Sequence, residues 1–165
     1  MTSASSLSCS GSDSWMFFWQ TSAAWKWKRV IFDMSNKLSV LVIEDSRLIQ
    51  ELVKAVLSKA GYEVFQADSG ESGLALVVKH RPDVVLIDVL LAGAMDGLAV
   101  CHEIRSMSGI DKTPILIMSS LAQEGDLAAG KLYGADDYLV KPINADILLS
   151  RIASILEKGT GAGHH

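Results

Sequence analysis

The stretch Val84-Val85-Leu86-Ile87-Asp88 decides the fold. It is a nearly unbroken apolar run, with Pro82 before it and a Gly-containing loop after it, and reads as a strand buried on both faces. Burial on both faces belongs to parallel sheets covered by helices, and such sheets carry their chemistry at the carboxyl ends of the strands. Asp88 occupies that end. A second run of the same kind, Leu38-Ser39-Val40-Leu41-Val42-Ile43, is followed by Glu44-Asp45. If the two strands are neighbours, these acids and Asp88 converge on one rim. Like charges that close either hold protons or share a hard cation bound through oxygen, and Mg²⁺ is the simpler expectation.

From Lys37 onward, strand and helix patterns alternate. After the strand at 38–43 comes a helix over about 46–60, with Leu48, Ile49, Leu52, Val53, Val56 and Leu57 at helical spacing and Gly61 at its end. A strand spans Tyr62 to Ala67, and a helix over about 70–80, led in by Asp68-Ser69, is expected to bury Leu74, Val77 and Val78. Beyond Asp88, Asp96 is an N-cap candidate for a helix with Leu98, Cys101 and Ile104 on one face. A strand over Pro114-Ile115-Leu116-Ile117-Met118 ends in Ser119-Ser120. The next helix, over about 121–132, has few large apolar residues beyond Leu127 and Leu132, which predicts loose packing before Gly134 stops it. The strand Asp137-Tyr138-Leu139-Val140 is closed by Lys141-Pro142. A last helix, capped by Asn144, is expected to bury Ile147, Leu148, Ile152, Ile155 and Leu156.

Five βα units with right-handed crossovers predict an α/β fold, a flavodoxin-like three-layer α/β/α sandwich around a five-stranded parallel sheet of order 2-1-3-4-5. That order sets the first and third strands side by side, which gathers Glu44, Asp45 and Asp88. Ser119 and Lys141 project onto the same rim from the fourth and fifth strands.

Composition bounds the function. The 165 residues are 49% apolar and 21% charged, a globular balance. The net charge is −4, and residues 1–36 hold Lys26, Lys28 and Arg29 against Asp13 and Asp33, leaving about −5 on the rest. No basic groove is present, so no nucleic-acid partner is expected. Cys9 and Cys101 are too few for a disulfide framework, and Cys101 reads as a small buried hydrophobe in a reducing, cytoplasmic protein. No run of about 18 apolar residues suits a membrane span.

Residues 1–36 read as a leader or extension outside the fold, with Met34-Ser35-Asn36-Lys37 resembling a natural beginning. All four tryptophans lie there, and residues 15–32 set aromatics beside Lys26, Lys28 and Arg29, a pattern that also suits membrane contact. The folded unit is expected to span residues 37–158, and 159–165 to form a flexible tail whose two histidines are a weak metal signal.

Three carboxylates, a hydroxyl and an ammonium are the parts needed to place a phosphoryl group on Asp88. At this point residues 38–157 resemble the receiver domain of bacterial two-component response regulators and are similar to the single-domain chemotaxis regulator. The matching stretches are Val40-Leu41-Val42-Ile43-Glu44-Asp45-Ser46, Asp83 to Asp88, Met95-Asp96-Gly97, Pro114 to Ser119, and Gly134-Ala135-Asp136-Asp137-Tyr138-Leu139-Val140-Lys141-Pro142. Each is weak alone; their order and spacing are specific.

The resemblance implies Asp88 as phosphoacceptor, charged by a histidine kinase or histidine phosphotransfer protein. It implies Asp45 and Asp88 as direct Mg²⁺ ligands, the Leu90 backbone carbonyl as another, and Glu44 acting through water. Lys141 would bind a phosphoryl oxygen, with a cis peptide to Pro142. Ser119 and Tyr138 would act as the switch, remodelling a partner face made of the helix at 121–132, the strand at 137–140 and the helix after Asn144. The residues after Lys158 are too few for an effector domain, so the expectation is a single-domain regulator that signals by protein contact. The loop Asp88 to Gly97 departs from the family pattern, lacking its proline and running one residue longer.

Simpler roles stand beside these. Asp88 can cap a strand end, Lys141 can be a solvated lysine, Ser119 a helix N-cap and Tyr138 a packing residue; Asp96 is most simply an N-cap. His80 and His102 lack partners at metal spacing and read as surface or core residues. Among rival functions, an Asp-nucleophile phosphatase of the haloacid-dehalogenase type needs a second Asp two residues on, where Leu90 stands. An FMN site fails because Glu44-Asp45 would repel the phosphate. A phosphorylation-independent docking module is the remaining alternative. Receiver-like function is therefore expected to be non-enzymatic beyond the chain's own phosphoryl transfer and dephosphorylation.

Overall fold

The computed structural model describes residues 37–120, 131 and 133–160. The expectations for residues 1–36, for a helix at 121–132 and for residues 161–165 lie outside them. The described elements are β1 (Ser39–Ile43), α1 (Arg47–Lys59), β2 (Glu63–Ala67), α2 (Gly70–His80), β3 (Val84–Asp88), α3 (Gly97–Ser106), β4 (Ile115–Ser119), β5 (Asp137–Val140) and α4 (Ala145–Thr160). α4 thus runs two residues into the stretch expected to be a tail. Among the described residues no helix is long and apolar enough to cross a membrane.

The strands form one parallel sheet in the order β2-β1-β3-β4-β5, as the sequence pattern predicts. Successive strand side chains point to opposite faces, and here both faces are apolar. Val40, Val42, Val84, Leu86, Leu116, Met118 and Leu139 pack with Val53 and Leu57 of α1 and Leu148, Ile152 and Ile155 of α4. Leu41, Ile43, Val85, Ile87, Ile115 and Ile117 pack on the other side with Val77 of α2 and Val100, Cys101 and Ile104 of α3. β3 and β4 are buried along their whole length, which is why they read as continuous apolar runs.

The helix ends follow the sequence signals. Ser69 and Ser72 form a capping box on α2, the Asp96 carboxylate accepts the Ala99 N–H at 2.8 Å, and Asn144 Oδ1 accepts the Asp146 and Ile147 N–H groups. Four apolar expectations are corrected. Leu48 is 80% exposed and Leu52 48%, because the stripe of α1 that meets the sheet is Ile49, Val53, Val56 and Leu57. Val78 and Ile147 are exposed as well, each turned about one residue's rotation from its buried neighbour, Val77 or Leu148.

Arg105 of α3 sets where β4 and β5 begin. Its guanidinium donates to the Asp111 and Thr113 carbonyls, the Gly134 carbonyl and Asp136 Oδ2, all at 2.8 Å, and that same Asp136 oxygen accepts the Ile115 N–H at 2.7 Å. A planar fork of five donors suits this gathering of carbonyls. Cys101, beneath it, is fully buried with its thiol on the Tyr133 carbonyl, and burial pushes that thiol up to about 11. His80 stacks on Phe65 as a packing residue, whereas His102 lies on the surface and meets the exposed Tyr133 edge to face.

Candidate acidic site at the carboxyl ends of the strands

Register and alternation build the site. The pattern that sends Val42, Leu86 and Leu139 to the layer of α1 and α4 puts Glu44, Asp88 and Lys141, each two residues further on, on that same side. Lys141 Nζ lies 2.7 Å from Glu44 Oε2 and 2.6 Å from Asp88 Oδ2, so one ammonium serves two carboxylates. Their other oxygens take backbone donors: Glu44 Oε1 accepts the Ser46 N–H at 3.2 Å, and Asp88 Oδ1 accepts the Leu90 N–H at 3.1 Å. Glu44 is 1% exposed and Asp88 4%, whereas Asp45 is open to solvent.

The charges do not balance. Three carboxylates face one ammonium, and Glu44, Asp45 and Asp88 each offer an oxygen within 4.8 Å of the others. Burial pushes the Glu44 carboxyl above its ordinary value; the Lys141 hydrogen bond opposes this and the neighbouring Asp88 charge adds to it. Burial also works against the Lys141 ammonium, but its bonds to Asp88 and Glu44 outweigh that and hold its pKa above the ordinary lysine value. An all-oxygen donor set with surplus negative charge and one solvent-facing member fits a hard divalent cation, Mg²⁺.

Ser119 ends β4, fully buried, one residue beyond Met118, the register partner of Asp88. Tyr138 pairs in register with Ile117, and its half-buried ring packs against the layer of α2 and α3. Leu90 is 57% exposed, and its N–H donates to Asp88 Oδ1. The peptide between Lys141 and Pro142 is cis. The loop after Asp88 is pinned at both ends, Val89 N–H on the Met118 carbonyl and Gly97 N–H on the Val89 carbonyl, each at 3.0 Å.

Two residues that the sequence reading left without a role touch this corner. A Cβ on Gly97 would stand 1.9 Å from the Asp88 carbonyl oxygen, so α3 approaches the end of β3 as closely as only glycine permits. A glycine directly after an N-cap and near a strand-end acid was the available signal. Gln50, on α1, donates its Nε2 hydrogens to the Glu44 carbonyl at 2.6 Å and the Ala67 carbonyl at 2.8 Å. Nothing in its own stretch of sequence points to those partners.

A five-stranded parallel sheet with acids and a lysine at its carboxyl rim defines a receiver-type α/β module. Residues 40–153 match the model of the response regulator receiver domain, and the chain belongs to that family. It is 39% identical over 121 residues to the transcriptional regulatory protein AfsQ1 of Streptomyces coelicolor, covering 73% of this chain and 52% of that protein. It is equally 39% identical over 127 residues to the response regulator MprA of Mycolicibacterium vanbaalenii, covering 75% and 54%. The chain therefore spans about half the length of these relatives. The solved structure of the Vibrio cholerae chemotaxis protein CheY4 superposes with a TM-score of 0.69 at 34% identity, over 72% of this chain and 98% of that one. Receiver domains are signalling modules of two-component systems that interact with histidine kinases or phosphotransfer proteins and generally bind Mg²⁺ at an acidic pocket.

Proposed function

We propose that Asp88 accepts a phosphoryl group from a histidine kinase or histidine phosphotransfer protein, and that the chain signals by contacts that depend on this modification. The observation that carries the reading is the shared ammonium: Lys141 holds a buried aspartate and a buried glutamate from two strand ends at 2.6 and 2.7 Å. A carboxylate nucleophile needs its charge compensated while a dianion arrives, and a preplaced cation does this without reorganisation. Asp88 Oδ2 attacks the phosphorus, the bond to the donor's imidazole nitrogen breaks, and that nitrogen leaves with the bonding pair. Lys141 then follows the new negative charge on the phosphoryl oxygens.

Asp45 and Asp88, with Glu44 and the Leu90 carbonyl, are the groups that would hold Mg²⁺. When bound, the ion offsets charge on the transferring oxygens. Ser119, buried at the end of β4, is the proposed hydroxyl partner of the phosphoryl group, and Tyr138 its companion in the switch. Output is assigned to protein contact on the face of β5 and α4, extended by the helix expected at 121–132. A phosphatase reading is disfavoured because Leu90, not an acid, stands two residues after the nucleophile.

Incubation with acetyl phosphate and Mg²⁺ tests the proposal by intact mass. One phosphoryl group gained by the wild type and lost in Asp88→Asn is the expected result. Continuous turnover of a phosphate ester would instead mean a phosphatase, and no modification at all would leave docking.

A further inference from the structure

We propose that Gln50 is a positioning residue that fixes the backbone beneath the acidic corner, and so sets its affinity for a divalent cation. The inference rests on the reading of Glu44, Asp45 and Asp88 given above. Glu44 and Asp45 lie just past the end of β1, where the strand ladder no longer constrains them. Three hydrogen bonds hold the main chain there. The Glu44 N–H donates to the Ala67 carbonyl at 3.0 Å, and Gln50 Nε2 bridges that same carbonyl and the Glu44 carbonyl at 2.8 and 2.6 Å. The peptide groups on either side of the Glu44 Cα are therefore tied to β2 and to α1.

The bridge acts on charged groups. Glu44 and Asp88 are buried, like-charged and drawn together only through Lys141, so their repulsion tends to push the Glu44–Asp45 turn outward. A primary amide has two N–H donors, matching the two carbonyls, and adds no charge to a corner already in surplus. Gln50 also lies one helical turn past Ser46, whose N–H holds Glu44 Oε1, so α1 grips both the main chain and the side chain of Glu44. Hydrogen bonds that orient metal ligands from behind characteristically alter affinity without touching the ion.

Gln50→Met keeps the length of the side chain and removes both donors. Titration of the full chain with Mg²⁺, followed by backbone amide NMR shifts, is expected to give an affinity about tenfold weaker than wild type. A packing control on the same helix, Val56→Ala, is expected to lower the unfolding midpoint while leaving the Mg²⁺ affinity unchanged. Mg²⁺ binding by Gln50→Met within twofold of wild type overturns the inference, as does an equal weakening in Val56→Ala. Absence of Mg²⁺ uptake by the wild type overturns the underlying reading of the site and this inference with it.

Discussion

At the scale of single residues, the site depends on which group carries the compensating charge. Lys141 has a raised pKa, so the stability it contributes is present below the ordinary lysine value and is lost only as pH rises beyond it. Glu44 is also raised, so its share is present below the ordinary glutamate value of 4.5 and is lost as pH climbs through its higher folded value. Removing the ammonium lifts Glu44 further. Lys141→Met is therefore expected to cost about 3–5 kcal/mol near neutral pH without Mg²⁺, as in other buried pairs stripped of one partner. The cost shrinks towards acid pH, where the Glu44 carboxyl is protonated. Urea unfolding in EDTA at both ends of that range checks this; a loss independent of pH would mean that Lys141 supports the corner by packing alone.

At the scale of elements, sequence was a good guide to strands and a partial one to helix faces. The strands declared themselves because burial on both faces leaves no room for polar residues, as Val84 to Ile87 and Ile115 to Met118 show. Helices declare a period but not the width of the stripe that is covered. Leu48, Leu52, Val78 and Ile147 satisfy the period and still face solvent. The contacts of Gln50, and most of those of Arg105, were illegible for a different reason: their partners are main-chain carbonyls, which carry no residue identity. Gly97 supplies the prediction at this scale. Alanine there gains about 1 kcal/mol of helix propensity, yet its Cβ meets a backbone oxygen that cannot rotate away, an overpacking cost of about 1–3 kcal/mol. Gly97→Ala is expected to be less stable than wild type and slower to accept phosphate from acetyl phosphate. A higher thermal midpoint with unchanged phosphorylation would contradict it.

At the scale of the molecule, the sheet order gathers residues from opposite ends of the chain, and the acids at the rim were legible because topology follows from five successive βα units. Which surface would report their state is proposed from the family resemblance alone, since one sequence does not display its partner. Ser119 and Tyr138 lie on β4 and β5, and α4 follows directly from Lys141 and Pro142. Beryllofluoride with Mg²⁺, in place of the phosphoryl group, is expected to shift amide resonances of β4, β5 and the first turn of α4 beyond the ligand contacts themselves. Changes confined to α2 would place the output elsewhere.

One ion pair also spans the architecture sideways. β1 and β5 never share a ladder, because β3 and β4 stand between them, yet the bond from Lys141 to Glu44 links the ends of both. Whatever draws that lysine closer to Asp88 slackens its hold on Glu44. A chemical event at the middle strand is thereby felt two strands away in one direction and next door in the other, through a tether rather than through the sheet.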